Sequence, residues 1–346
     1  MKPSSLILVT GGAGFIGSSF VREALSADYK LVILDALTYA GYMGNLEGVI
    51  KPGQCDFVQG DIGDFNLVNS LFEKYQFSAV VNFAAESHVD NSISGPKVFI
   101  QTNIMGTFNL LEVARKHWSQ YKAEAKEAFR FLHVSTDEVF GSLGETGQFT
   151  EATPYAPNSP YSASKAGSDL LVRAWFHTYG LPTITTNCSN NYGPRQFPEK
   201  LIPRMILNAL RGDQLPVYGN GKNVRDWIHV QDHSRGVLLA LEKGAPGETY
   251  CFGGNSERSN IEVVQAICRI LDELAPRPNG QKHAENIKFV QDRLGHDFRY
   301  AIDDTKAQEK LNFKRQFGQF EDGLKQTVQW YLENKVWLEG VLAKNK

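Results

Sequence analysis

Cysteine is scarce in this chain. Four occur in 346 residues, Cys55, Cys188, Cys251 and Cys268, far apart and with no Cys-x-x-Cys spacing. That pattern argues against a disulfide framework and against a metal site, so reduced, buried thiols in a cytoplasmic protein are expected. An excess of charge of one sign is missing too. Lys and Arg number 36 against 38 Asp and Glu, a formal net charge of −2. A polyanion binder carries a basic surplus, so no nucleic-acid partner is expected. Long hydrophobic runs are absent as well. The longest near the start, Leu6 to Val9, has the length of a strand, which speaks against a secretion signal or a membrane partner. Repeats of roughly 20–50 residues and low-complexity linkers are lacking, so solenoids are out. The remainder is that of an ordinary globular chain, with 42% hydrophobic and 21% charged residues, enough for one large core or two modest domains.

What is present is an alternation. Short β-branched runs at Leu6–Thr10, Leu31–Leu34, Asp56–Val58, Ala79–Phe83 and Phe131–Val134 read as strands. Helical patterns separate them, beginning near Phe15, Asn66, Val98 and Tyr161. Apolar strands alternating with helices predict an α/β chain, a Rossmann-type doubly wound parallel sheet covered on both faces. Past about Asn187 the texture changes to the Asn-, Gly- and Pro-rich "NCSNNYGPRQFPEK", then a helix over 201–210 and mixed short pieces. The expected division is residues 1–187 as a dinucleotide-binding domain and 188–346 as a smaller α/β substrate-binding lobe, with some strands returning to the main sheet.

"VTGGAGFIG" follows the first strand and opens a helix. Gly12, Gly14 and Gly17 fit G-x-G-x-x-G, and Gly11, Gly14 and Gly17 fit the looser G-x-x-G-x-x-G. Such glycines allow a tight turn and close approach of a pyrophosphate, and the helix start offers free N–H groups. Asp35 ends the second strand, where a carboxylate accepts hydrogen bonds from a ribose diol and repels a 2′-phosphate. No Arg follows it, since Ala36, Leu37 and Thr38 come next, so NAD is favoured over NADP. Asp61 and Ile62 close the third strand. "NFAAESH" closes the fourth, with small Ala84 and Ala85.

Two stretches carry chemistry. In "SPYSASKAGSDLLVRAWFHTYG", Ser159 and Pro160 can open a helix that Gly180 ends. Tyr161 and Lys165 then share a face, and an ammonium near a phenol lowers a pKa that is ordinarily about 10. The same spacing recurs at Tyr218/Lys222, within a Gly-Asn-Gly turn, and at Tyr331/Lys335, expected to be solvated on a C-terminal helix. Only Tyr161/Lys165 follows a strand of the nucleotide sheet. In "VSTDEVFG", Thr136, Asp137 and Glu138 stand side by side after the apolar Phe131, Leu132 and Val134. Adjacent carboxylates at a strand mouth are either a solvated turn or an acid and a base. For all three to reach one ligand, the strand must end there and the backbone must turn, because an extended strand would send Asp137 to the opposite face.

Together with "AAESHVD", "YSASKAGSD", "NCSNNYGP", "FPEKLIP", "VRDWIHVQDH" and "DRLGHDFRYAID", these stretches make the chain resemble the dTDP-glucose 4,6-dehydratases of the extended short-chain dehydrogenase/reductase family, from Gly11 to Asp303. The resemblance implies a homodimer that uses NAD to convert dTDP-glucose into a 4-keto-6-deoxy sugar. It casts Asp137 as general acid, Glu138 as general base and Tyr161 as base for the sugar 4-hydroxyl, with Thr136 and Lys165 in support. The cofactor would meet Gly11, Gly14, Phe15, Ile16, Gly17, Asp35, Leu37, Thr38, Asp61, Ile62, Ala84, Ala85, Ser87, Thr102, Tyr161 and Lys165. Ser87, Thr136, Asn190, Glu199, Lys200, Leu201, Arg225, Asn260, Arg293, His296 and Tyr300 would meet the nucleotide sugar. Two departures stand out: "TYAGYMGN" where the family has "TYAGN", and Asn91 where Arg is expected. The rivals are a dehydratase of another nucleotide sugar such as UDP-glucose, and a 4-epimerase or decarboxylase, which has no need of an acid pair at 137 and 138.

Overall fold

The β-branched runs pair into one sheet. In the computed structural model, which describes residues 4–292 and 296–344, the strands in chain order are β1 (Leu6–Thr10), β2 (Lys30–Asp35), β3 (Cys55–Gln59), β4 (Ala79–Asn82), β5 (Arg130–Thr136), β6 (Thr183–Cys188), β7 (Asn190–Tyr192), β8 (Leu215–Tyr218), β9 (Val224–His229), β10 (Thr249–Phe252), β11 (Glu257–Ser259) and β12 (Ile287–Val290). Seven form an all-parallel sheet in the order β10-β6-β5-β4-β1-β2-β3. The first five match the expected runs to within two residues at each end. Val9 pairs with Ile33 on one side and Val81 on the other. The chain runs outward from β1 to β3 and then returns to β4 on the other side of β1, so the strand order reverses there. A crevice opens at such a reversal, at the carboxyl ends of the strands.

Alternation along each strand divides the core. Ile7, Val9, Ile33 and Val81 pack with helices Phe15–Ser26 and Val230–Lys243. Leu8, Val32, Val80 and Phe131 pack on the other face with helices Phe65–Lys74, Thr107–Ser119 and Pro160–Tyr179. The outer strand β10 comes from beyond residue 187 and lies beside β6. The later segments build a second core, with Ile202, Ile206, Val263, Ile267, Leu324 and Val328 at its centre, flanked by the three-stranded β11-β9-β7 and the parallel pair β12-β8.

Local signals explain the helix ends. Ser159 and Ser162 form a reciprocal capping box, Pro160 occupies the first turn, and Gly180 closes the helix at φ +71°. The expected helix near Val98 is interrupted. Residues Pro96–Phe99 are α-helical, Ile100–Gly106 are wound as a π-helix, and Thr107–Ser119 are α-helical again. A widened turn of this kind re-aims side chains and is found mostly at functional sites. Tyr331 departs from expectation. It is 1% exposed, not solvated, and its hydroxyl donates to the Gln196 carbonyl at 2.5 Å. The helix that carries it ends at Glu333, so Lys335 opens a new helix and shares no face with it.

Candidate active site

A cavity of about 310 Å³ lies over the carboxyl ends of the central strands. Gly11, Gly14, Phe15, Ile16, Gly17, Asp35, Thr38, Asp61, Ile62, Ala84, Ala85, Ser87 and Thr102 all line it, and so do Thr136, Asp137, Glu138, Tyr161 and Lys165. Leu37 does not. It adopts φ +53°, packs toward the core, and its backbone N–H donates to Asp35 Oδ1 at 2.8 Å. The glycines serve two purposes. A Cβ on Gly17 would stand 2.2 Å from the Gly11 carbonyl oxygen, and one on Gly11 2.6 Å from the Ala84 nitrogen, so both permit backbone-to-backbone packing. Gly14 is the N-cap of helix Phe15–Ser26, with no side-chain cap and no acidic residue in the first turn. Those uncapped N–H groups suit a diphosphate.

Asp35 is held as a ribose acceptor needs to be. Its Oδ2 accepts from the Ala13 N–H at 2.8 Å, and it is buried enough that desolvation raises its pKa against those hydrogen bonds. The longer loop after it is anchored from the far end of the chain. Asn45 donates to the Ala13 carbonyl and accepts from Trp337 Nε1, both at 2.8 Å. Tyr42 lies edge-on to Trp337, and Lys344 donates to the carbonyls of Leu37, Thr38 and Gly41. The inserted residues thus reach helix Lys335–Ala343, which closes over the loop. Asn91, the other departure, sits on the exposed side of the short helix Val89–Ser94.

The carboxylate triplet stands where the strand ends. β5 stops at Thr136 and a single 3-10 turn, Asp137–Phe140, begins at the next residue. Glu138 N–H donates to Thr136 Oγ1 at 3.3 Å, and Asn187 Nδ2 donates to the Thr136 carbonyl at 2.9 Å. The turn brings all three side chains to one cavity, as the spacing demanded. Asp137 is 2% exposed and its Oδ2 has no partner among the described residues. Burial, and next the charge of Glu138, push its pKa well up, with Arg225 opposing. That direction suits the acid of an acid–base pair.

Tyr161 faces the same turn. Burial and then the Glu138 charge drive its phenol up, and Thr136 counters them in part. Lys165 Nζ donates to the Val134 carbonyl at 2.8 Å and lies 3.4 Å from His133 Nε2. It belongs to a buried network with Asp169, which accepts from Ser135 at 2.7 Å and Tyr155 at 3.0 Å and lies 3.3 Å from His133. Burial and the neighbouring ammonium lower His133 to about 4, so the imidazole is neutral there. Asp169 went unnoticed in the sequence, although its place four residues after Lys165 put it on the same helical face.

A second cavity of about 220 Å³ adjoins the first, with Glu138, Ser87, Asn190, Glu199 and Lys200 lining both. Leu201, Arg225, Asn260, His296 and Tyr300 line the second. Arg293 lies outside the described residues. Lys200 donates to the Ser87 carbonyl at 3.0 Å, and His88 Nε2 lies 3.5 Å from Glu199. Arg225 is turned partly inward. It donates to the carbonyls of Val224 at 2.7 Å and Asp297 at 3.0 Å, and lies 4.2 Å from the Tyr300 ring centroid. Cavity residues that sequence reasoning missed include Tyr39, whose hydroxyl is 3.1 Å from Ser87 Oγ, and Glu86, whose backbone Asn103 clamps through both amide atoms. Both lie in stretches quoted above, "TYAGYMGN" and "NFAAESH", but neither residue was singled out there.

A family model described as GDP-mannose 4,6 dehydratase matches residues 8–327. A dTDP-glucose 4,6-dehydratase of Xanthomonas campestris pv. campestris (strain B100) is 59% identical over 335 residues, 97% of this chain and 95% of that one. The chain belongs to the dTDP-glucose 4,6-dehydratase family. Crystal structures of two family members superimpose along the chain. The enzyme from Streptomyces venezuelae, solved with NAD bound, gives a TM-score of 0.87 at 46% identity, covering 97% of this chain and 99% of that one. The one from Bacillus anthracis, in complex with NAD, gives 0.86 at 45% identity, with the same coverage. As a family member the chain has the expected Rossmann-type sheet. No helix among the described residues is long and apolar enough to cross a membrane.

Burial of Asp137 has a measurable consequence for stability. Its folded pKa lies above its unfolded one, so the native state holds the proton more firmly. Between the two values the unfolded chain has already lost its proton, and stability falls as pH rises through that window. Asp137→Asn removes the ionisation. Its melting temperature is expected to exceed that of the wild type by roughly 2–4 °C near neutral pH, and the gain to vanish below about pH 4. Equal differences at both pH values, measured by scanning calorimetry, would contradict the assignment.

Proposed function

We propose that this chain converts dTDP-glucose into dTDP-4-keto-6-deoxyglucose and water, an NAD-dependent lyase reaction that supplies deoxysugar synthesis. The observation that carries the reading is the turn at residues 136–138, which sets Asp137 beside Glu138 and Tyr161 in one cavity. A C5 proton of glucose is not acidic until C4 becomes a ketone, so oxidation must precede elimination. NAD held here would supply a hydride acceptor for C4 and a hydride donor for C6, and its cationic ring would add the positive charge a buried tyrosinate needs. Gly11 to Gly17 would hold its diphosphate and Asp35 its adenosine ribose. Tyr161 takes the 4-hydroxyl proton, with Thr136 donating to the phenolate. Glu138 then removes the C5 proton and Asp137 protonates the departing 6-hydroxyl. Lys165 supports the site through strand β5. An epimerase or decarboxylase has no use for the acid pair Asp137 and Glu138.

Arg225 and Lys200 are the cations proposed to face the substrate diphosphate, with Ser87, Asn190, Glu199, Leu201, Asn260, Arg293, His296 and Tyr300 around the nucleotide sugar. The proposed division of labour runs at about residue 187, cofactor before and sugar nucleotide after. A homodimer in the cytoplasm completes the proposal. Val98, Ile100, Met105, Phe108 and Leu170 are exposed apolar side chains on or near helices Thr107–Ser119 and Pro160–Tyr179, the surface such a dimer would cover. The four cysteines are buried and unpaired, as suits a reducing compartment.

Incubation with dTDP-glucose tests the reading. A product absorbing in alkali as a 4-keto-6-deoxy sugar should form while no reduced cofactor accumulates; one reduced cofactor per sugar would make the chain a simple dehydrogenase. The cofactor arm is tested separately. Asp35→Ala should weaken NAD binding by about 1.5–3 kcal/mol, because a hydrogen bond to a charged carboxylate is lost, and should narrow the preference against NADP. Equilibrium titration of both cofactors measures it, and equal wild-type affinity for the two would refute the role of Asp35.

A further inference from the structure

A third cavity, of about 200 Å³, lies along helix Phe15–Ser26 and serves no step of the proposed reaction. Phe15, Ser18, Ser19, Arg22, Glu23 and Ser26 line it from that helix, Pro194 and Arg195 from the turn after β7, and Val230 and Gln231 from the start of the 14-residue helix Val230–Lys243. Two guanidiniums therefore meet at one small space. Arg22 spends one nitrogen on the backbone carbonyls of Asn45, at 2.8 Å, and Glu47, at 3.2 Å. Its Nε is buried and has no partner among the described residues, and the same holds for the Nε of Arg195.

Arg195 is the more unusual of the two. Its backbone adopts φ +69°, a left-handed conformation that a bulky residue holds only at a cost. Its guanidinium lies 5.2 Å from the centroid of the Trp330 ring, and among the described residues it forms no ion pair. Burial and repulsion from Arg22 lower its pKa to about 10, against a smaller contribution from Glu47. Glu23 lines the rim, yet pairs with neither arginine. Two like charges half withdrawn from water, each with an idle donor, are an arrangement that an anion relieves. Arginine presents a planar fork that matches phosphate oxygens.

We propose that this cavity is a second anion site, taking a small dianionic phosphate, either inorganic phosphate or the phosphate of a phosphomonoester, between Arg22 and Arg195. It is separate from the diphosphate cradle at Gly14. Phe15 lines both cavities and stands between them.

The test uses the full chain loaded with NAD and saturated with dTDP, so that the reaction site is filled. Titration calorimetry with inorganic phosphate at constant ionic strength should show one site per chain, and glucose 1-phosphate in a parallel arm distinguishes a monoester from the free ion. Arg195→Asn, which suits the left-handed backbone, should weaken phosphate binding at least about tenfold by removing a charged donor. Arg22→Gln should do the same by the opposite wall. Arg195→Asn should change neither the bound NAD content nor the KM for dTDP-glucose. Tighter binding of glucose 1-phosphate than of phosphate makes the monoester the ligand; the reverse makes it the free ion. No heat up to about 10 mM phosphate, a hundredfold weaker than a useful metabolite site, would overturn the proposal. So would unchanged phosphate affinity in both variants.

Discussion

Tyr161→Phe is expected to stop the reaction before its first chemical step. The substitution removes one hydroxyl and keeps the ring, whose edge contact with Phe99 has centroids 6.4 Å apart, so the fold should be retained. dTDP-glucose should still bind. The absorbance of reduced nicotinamide should not appear, the C5 hydrogen should not exchange with solvent, and turnover should fall by about 10²–10⁴, the range for a general base. Lys165→Met should be less specific. Since Lys165 contacts strand β5 and His133, its loss should destabilise the chain as well as slow it. A Tyr161→Phe variant that still reduces its cofactor on mixing with substrate would remove the tyrosine from oxidation.

The acid pair should separate from the tyrosine in the same assay. Asp137→Asn and Glu138→Gln leave oxidation possible and disable elimination, each at a cost of about 10²–10⁴ in rate. In both, reduced cofactor should build up on adding substrate and decay slowly. Solvent exchange at C5 should be lost mainly in Glu138→Gln, because that residue is assigned to the C5 proton. Asp137→Asn should keep more of it, because the buried carboxyl is assigned to the departing hydroxyl. The opposite pattern would exchange the two roles, and full activity in both variants would reduce the triplet to a structural turn.

How much could be read beforehand follows from distance along the chain. The Rossmann sheet was legible because each strand announces itself within five or six residues, and the capping of helix Pro160–Tyr179 because Ser159, Pro160 and Gly180 act locally. The turn after Thr136 was legible as a geometric demand, since period two forbids three adjacent side chains on one face. Long-range events were not. Nothing near residue 249 says that β10 pairs with β6, because edge pairing depends on which strand is left free. Lys165 was expected to share a face with Tyr161; its contacts with the Val134 carbonyl and the His133 imidazole come from a strand and not from its own helix, so spacing did not announce them. Tyr331 looked solvated because its C-terminal helix is distant in sequence from the cofactor strands, while its partner, the Gln196 carbonyl, lies 135 residues away. The π-helical turn that exposes Thr102 to the cavity has no sequence signature of its own.

The closure of the loop after Asp35 by Trp337 bears on how the protein is made. Asn45 and Trp337 are 292 positions apart, so a ribosome delivers the glycine turn and the acid long before the indole that steadies them. Until helix Lys335–Ala343 has emerged and docked, the nascent chain has a sheet but only a loosely organised ribose loop. With the role proposed for Asp35, tight cofactor capture is then expected late in maturation. A ribosome-stalled chain ending near residue 330 should acquire protease resistance in its sheet yet gain little more from added NAD, whereas the released chain should gain much.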